Sequence, residues 1–180
     1  MSKLNKLATA ISVPILVGTI GVYGDGVNAA SQIQVACENR DSIPTITATL
    51  SNPERPDGNR EMGSRQTEIL FFLPEYFSSE EAFNNCQKTA VSLQSYYDRG
   101  VMNYLASDTL DGKPVICAVE RRGVRCDGYS SEVLFSLNKT VNPSQLLYDM
   151  LGGNFKDSQL PASRTVSRIY TDLRPRWWPF

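Results

Sequence analysis

Residues 78–100, SSEEAFNNCQKTAVSLQSYYDRG, contain the strongest structural pattern in the chain. Ser78 stands three residues before Glu81, which is the spacing of a capping box at the start of a helix. Apolar side chains then recur every three or four residues, which places them on one face of that helix. These side chains are Phe83, Cys86, Ala90, Leu93 and Tyr97. Gly100 suits the left-handed cap that ends a helix, so the sequence predicts one long amphipathic helix with a buried cysteine.

Segments that favour β-strands surround this helix. Residues 43–50 alternate in polarity, and residues 67–73 form an apolar run that ends before a proline. After the helix, the further strand candidates are residues 101–106, 114–120 and 133–137. Asn142 followed by Pro143 predicts the start of a short second helix. The whole pattern predicts an α+β domain in which an antiparallel sheet packs against one long and one short helix.

The four cysteines predict two disulfides. They are Cys37, Cys86, Cys117 and Cys126. An even number of cysteines in an exported chain is typical of a disulfide framework, and four cysteines allow three pairings. A turn at residues 121–123 predicts a hairpin that brings Cys117 opposite Cys126. The remaining pair, Cys37 with Cys86, would then fasten the long helix to an N-terminal strand.

The N-terminal residues have the pattern of a secretory signal peptide. Two lysines precede an apolar run at residues 7–23, and Val27-Asn28-Ala29 supplies small residues ahead of a cleavage point. The run is short for a membrane-spanning helix. We therefore expect export across a membrane. The predicted organisation is a signal peptide at residues 1–29, a domain at residues 30–153 and a C-terminal tail at residues 154–180, with a polar loop at residues 51–65 inside the domain.

The composition excludes several classes of function. The chain has no histidine among its 180 residues, and its net charge is −1. Without histidine, Ser-His-Asp catalysis, Cys-His catalysis and histidine-ligated zinc are all excluded. A net charge near zero provides no field that would attract nucleic acid. We therefore expect no cofactor, no metal and no nucleic-acid partner.

Two patterns keep an enzyme as an alternative. Ser136 and Lys139 have the S-x-x-K spacing of serine–lysine enzymes, but this spacing within a strand puts the two side chains on opposite faces. Asp108 and Asp111 could act as acid and base, although both flank a turn, where aspartate commonly bonds to the backbone. We expect binding rather than catalysis. A hydrolase that works without histidine and a small-ligand carrier are the alternatives.

Two groups of residues are candidates for binding a partner. The first group, at the tip of the predicted hairpin, is Arg121, Arg122 and Arg125. Their guanidinium groups could bind a carboxylate or phosphate of a partner protein. The second group, at the end of the tail, is Arg174, Arg176, Trp177, Trp178 and Phe180. Because arginine and tryptophan are enriched in binding hot spots and tryptophan at membrane interfaces, the tail could bind a partner protein or a membrane surface, or pack back on the domain's own sheet.

From Ala36 to Gly153 the sequence resembles the circadian oscillating polypeptide (COP23-type) domain family of cyanobacteria. The matching motifs include LQSYYDRG at residues 93–100, DGKPVIC at residues 111–117 and NPSQ at residues 142–145, together with the four cysteines. The resemblance implies export and association with a membrane, and it implies no particular reaction. We therefore expect an accessory protein that is peripherally associated with a membrane or a membrane complex.

Overall fold

A computed structural model of the chain describes residues 32–51, 64–101, 103–156 and 168–174. These residues form an α+β fold, which confirms the predicted class. The predicted signal peptide and most of the polar loop lie outside the described residues.

The strands are divided between two antiparallel sheets, whereas the sequence analysis predicted one. The first sheet has the order β1-β2-β3 and the second the order β6-β5-β4-β7. The strands are β1 (Gln32–Arg40), β2 (Ile43–Ser51), β3 (Arg65–Phe71), β4 (Tyr104–Leu110), β5 (Lys113–Val119), β6 (Ser131–Ser136) and β7 (Tyr170–Asp172). The helices are α1 (Ser79–Arg99), α2 (Pro143–Met150) and α3 (Gly153–Lys156). The long helix α1 follows β3 directly, so the chain leaves the first sheet there and begins the second sheet only after α1 has ended.

The ends of α1 lie where the capping residues predicted them. The Glu81 backbone N–H donates to the Ser78 hydroxyl, and the Ser78 backbone N–H donates to the Glu81 carboxylate. At the other end Gly100 is left-handed, with φ of 63°. The predicted apolar face needs one correction, because Phe83 is 48% exposed. Its neighbour Ala82 is buried instead, and successive residues point about 100° apart around a helix.

The main core is built from both sheets and the helices. Its largest fully buried side chains include Ile46, Leu70, Leu93, Leu105, Ile116 and Leu147. A second, smaller apolar cluster consists of Ala106, Val115, Cys117, Val119 and Cys126. Because side chains alternate across a strand, β4 and β5 send neighbouring residues to opposite faces, and the second cluster lies on the outer face of the four-stranded sheet. We call it the outer cluster.

The first sheet meets the end of α2 at Gly152. The Gly152 N–H donates to the Ile69 carbonyl at 3.0 Å, and Leu70 and Leu151 form an isolated antiparallel bridge beside it. A Cβ atom at Gly152 would collide with the backbone carbonyl of Glu68. Only glycine therefore allows this close approach between the two backbones.

Both predicted disulfides are confirmed. The Cys37–Cys86 bridge fastens α1 to β1, with the two Cα atoms 5.6 Å apart. The Cys117–Cys126 bridge also forms, but Cys126 is not on a returning strand as predicted. The chain turns a second time at Gly128 before β6 begins, so the strand that pairs with β5 on this side starts at Ser131. Residues 120–130, which we call the disulfide loop, lie between β5 and β6.

Part of the predicted tail belongs to the fold. Residues 170–172 form β7, which pairs with β4, and Ile169 and Leu173 are buried in the main core. Phe155 in α3 is also buried there. A strand of three residues is too short to show the alternation on which sequence reasoning depends, which explains why the tail was predicted to begin at residue 154. The tail residues Arg176, Trp177, Trp178 and Phe180 lie outside the described residues.

Candidate binding surfaces

The disulfide loop is held in place by hydrogen bonds as well as by its covalent bridge. The Ser131 hydroxyl lies 2.9 Å from the Cys126 carbonyl and 2.6 Å from the Gly128 carbonyl, and it can donate to either. The Tyr170 hydroxyl donates to the Val124 carbonyl at 3.1 Å, which ties the loop to β7. Gly123 provides the predicted turn with φ of 90°. The loop is therefore fixed at several points along its length.

The three candidate arginines of this loop do not converge on one site. Arg125 is half exposed and pairs with two carboxylates, since its Nε lies 3.2 Å from Asp127 Oδ1 and 3.7 Å from Asp108 Oδ2. The guanidinium of Arg122 lies over the Tyr104 ring, 5.3 Å from the ring centroid. Arg121 is exposed to solvent. Arg125 is thus neutralised within the domain, whereas Arg121 and Arg122 face outward.

Asp108 is the electrostatic centre that holds the loop to the sheet. It is only 4% exposed, and its Oδ1 lies 2.9 Å from Arg168 Nε. Burial alone would raise the pKa of Asp108, but the backbone N–H of Thr109, the Arg168 guanidinium and the backbone N–H of Cys126 hold that pKa below its usual value. A carboxylate with these partners binds β4, the loop and the segment before β7 together. No local pattern in the sequence marks Arg168, because its contact with Asp108 joins residues that are sixty positions apart.

The outward side of the loop displays an aromatic residue that the sequence analysis also missed. Tyr129 is 100% exposed, and it is the second residue of the Gly128–Ser131 turn that leads into β6. Val133, the third residue of β6, is 42% exposed. The sequence could have indicated this exposure, because Tyr129 stands between a glycine and a serine in a segment whose apolar residues do not recur at helix or strand spacing.

The residues of the enzyme alternative occupy separate places. Ser136 ends β6, and the Lys139 ammonium donates to the Glu75 carbonyl at 3.0 Å. Asp111 lies in the turn between β4 and β5 with φ of 50°, as expected for a turn aspartate. Among the residues described, no three acidic or cysteine side chains come together as metal ligands.

A second surface, which the sequence analysis did not find, is a groove between β1 and α1. Its volume is about 570 Å³, and we call it the β1–α1 groove. The lining includes Val35, Cys37, Ala90, Val91, Gln94 and Asp98. Because β1 is an edge strand of its sheet, this groove runs along a sheet edge.

The Gln94 side chain forms hydrogen bonds with the backbone of β1 at that edge. Its Oε1 accepts from the Val35 N–H at 2.6 Å, and its Nε2 donates to the Ile33 carbonyl at 3.1 Å. These are the two bonds that the backbone of an added strand would make to the edge. Nε2 also donates to Asp98 Oδ1 at 2.8 Å, which fixes the orientation of the amide.

Comparison with known proteins identifies a family. The family model described as "Circadian oscillating protein COP23" matches residues 58–177, which is two thirds of the chain. No curated protein and no solved structure matches the chain. The family match extends beyond Gly153 and includes the segment that forms β7.

Two structural findings bear on location. The two disulfides indicate an oxidising, exported environment. In the part of the chain that the structure describes, none of the helices has the length and apolar character needed to cross a bilayer.

Proposed function

The chain belongs to the circadian oscillating protein family, and on that basis we propose that it is an exported, non-catalytic accessory protein that binds a partner at a membrane or a membrane complex. The observation that carries the proposal is the disulfide loop, which is fixed at its base and presents Arg121, Arg122 and Tyr129 to solvent. The proposed compartment is the periplasm, the thylakoid lumen or the cell exterior.

The fixed base supports a binding role because ordering a loop during association costs free energy. The bridge to Cys117, the Asp108–Arg125 ion pair and the bonds of Ser131 hold this loop in advance. A preorganised loop loses less conformational entropy on binding than a free one. The loop is therefore suited to present its outward side chains to a partner in one arrangement.

The outward side chains define the chemistry of the partner. Tyrosine and arginine are enriched in binding hot spots, and arginine forms paired hydrogen bonds with carboxylates. Tyr104 supports the guanidinium of Arg122 and reduces the freedom that this side chain would lose on binding. The partner that fits is a protein surface with carboxylates around an apolar patch that accepts Tyr129. Anionic lipid headgroups are the other source of negative charge that the test must separate.

The experiment compares capture of proteins from gently solubilised membranes by the mature chain and by an Arg121→Ala/Arg122→Ala variant. The control is Lys88→Ala/Lys113→Ala, which removes two exposed positive charges away from the loop. We expect one defined partner that the control binds normally. The loop variant should bind it at least about tenfold more weakly, because two charge-assisted contacts are lost. Raising the salt concentration should weaken binding of the wild-type chain but have less effect on the loop variant.

Three outcomes would count against the proposal. Equal loss of binding in the control and the loop variant would assign the effect to net charge alone. Unchanged binding in the loop variant would exclude the loop as the contact surface. Sedimentation of the purified chain with vesicles of anionic lipid, abolished only in the loop variant, would replace the protein partner with a lipid surface.

A further inference from the structure

We propose that the last residues of this chain, 175–180, bind in the β1–α1 groove of the same molecule. The sequence of this segment is Pro-Arg-Trp-Trp-Pro-Phe. The proposal concerns a different surface from the disulfide loop and does not depend on the partner inferred above. It is supported by the position where the described chain ends, by the reach of the segment and by its chemistry.

The described chain ends close to one end of the groove. The Tyr97 hydroxyl donates to the Leu173 carbonyl at 2.7 Å. Tyr97 directly precedes Asp98 and lies one turn after Gln94, and both of these residues line the groove. Burial raises the pKa of Tyr97, and the negative charge of Asp172 adds to this effect, so the phenol stays protonated and remains a donor. Arg174 is therefore placed near the Asp98 end of the groove.

The length of the segment matches the length of the groove. Along α1 the lining extends from Asp98 back to Gln87, eleven residues earlier, which corresponds to about 16 Å of helix. The six residues after Arg174 span about 20 Å when extended. The segment can therefore reach from the end of the described chain along the whole helical side of the groove.

The side chains of the segment complement those of the groove. Val35, Ala90 and Val91 give it an apolar lining, and Val91 is 73% exposed in the described structure. Two tryptophans and a phenylalanine would cover these residues and lose their own contact with water. Asp98 lies in the last turn of α1, where the negative end of the helix dipole reinforces its charge, and it suits Arg176.

The tether favours this occupant over a second copy or a free ligand. A segment attached by a short link has an effective concentration in the millimolar range at a nearby site. A separate molecule would have to exceed that concentration or bind more tightly. Groove occupancy also removes two adjacent tryptophans from the exposed surface, where they favour association.

Tryptophan fluorescence tests the proposal directly. The chain contains two tryptophans, Trp177 and Trp178, and both are in the segment, so the emission reports on it alone. The full mature chain would be compared with Val91→Glu, which puts a charge into the groove. The control is Val133→Glu on β6, the same change at an exposed valine outside the groove. Circular dichroism and thermal unfolding of each variant verify that the fold is retained.

In the wild-type chain and in Val133→Glu we expect emission at shorter wavelength, with acrylamide quenching weaker than in the urea-unfolded chain. In Val91→Glu the emission should shift toward the unfolded value and quenching should increase. The Arg121→Ala/Arg122→Ala variant should give the wild-type spectrum, so this proposal and the proposed function can fail separately.

Three results would overturn the inference. Wild-type emission equal to that of the unfolded chain would show that the segment is in water and the groove is open to an external ligand. Protected tryptophans that Val91→Glu does not change would place the segment elsewhere. Protection that disappears on dilution of the protein would assign the groove to the segment of a second copy.

Discussion

The outer faces of the two sheets are covered in opposite ways. On the three-stranded sheet, Arg40 reaches Glu38 at 3.0 Å and Glu68 at 3.2 Å, and it donates to the Gln66 side chain. Thr45 and Thr47, which pair across the strands with Glu38 and Glu68, are buried in the described structure. On the four-stranded sheet, apolar residues of the outer cluster are covered by the disulfide loop.

The difference shows what each kind of surface needs. Threonine keeps a hydroxyl on its face of the sheet, and long charged side chains can cover it while their ends stay in water. An outer face of valine and cysteine must be removed from water by other protein groups, and a loop without secondary structure must be held there. The disulfide and the buried Asp108 supply that attachment.

The largest loss of stability is expected from removing the Cys37–Cys86 bridge, which lies on neither outer face. Replacing Cys37 and Cys86 by alanine opens a link between residues that are 49 positions apart. The chain-entropy argument gives a loss of about 4 kcal/mol in the free energy of unfolding. Denaturation in urea would measure it. A loss smaller than that of the second bridge would contradict the entropic argument for this domain.

Removing the Cys117–Cys126 bridge should destabilise the domain less, and its structural effect should be confined to the disulfide loop and the sheet face beneath it. Replacing Cys117 and Cys126 by alanine should cost about 2.5 kcal/mol, because the loop that they close is short. Release of the disulfide loop should uncover the outer cluster, so hydrogen exchange should accelerate in β5 more than in β2. Equal acceleration in both strands would mean that the loop does not protect the outer face separately.

Asp108→Asn tests the ionic part of the loop's attachment. At neutral pH we expect a loss of about 2 kcal/mol, because the uncharged asparagine cannot form ion pairs with Arg168 and Arg125. The pKa of Asp108 is lower in the folded chain than its unfolded value of about 3.9, so its stabilisation is complete above that value and is lost as the pH falls toward the folded pKa. The difference between wild type and variant should therefore shrink below about pH 4. A difference that stays constant down to pH 2 would assign the loss to packing.

The smallest effect is expected on the outer face of the three-stranded sheet. Arg40→Ala removes the centre of the network, but the two salt bridges of Arg40 are partly exposed. Pairs of this kind contribute at most about 1 kcal/mol, and screening by salt reduces the contribution further. Thermal unfolding at low and high salt would measure it. A loss of stability larger than that of Asp108→Asn would mean that the Arg40 network stabilises the three-stranded sheet more than Asp108 stabilises the attachment of the disulfide loop.

Local patterns allowed much of this fold to be predicted. The capping residues of α1 and α2, the central strands and the Cys117–Cys126 pairing follow from spacing within short stretches of sequence, and the Cys37–Cys86 pairing was then the one that remained. The division into two sheets, the three-residue β7 and the partnership of Asp108 with Arg168 depend on contacts between distant segments. The same reason explains why the candidate arginines were found but the ion pair between Arg125 and Asp108 was not. The β1–α1 groove was missed because it exists only once a helix lies beside a sheet edge.

The order of the cysteine pairs has a consequence for how the chain matures during export. The first cysteine pairs with the second and the third with the fourth. Of the three possible pairings, this one alone gives each cysteine that arrives in an oxidising compartment either its correct partner or no free partner at all. A chain that crosses a membrane from its N-terminus can therefore acquire both correct bridges in sequence, with no wrong partner to exchange. We expect oxidative folding of this domain to proceed without a disulfide isomerase.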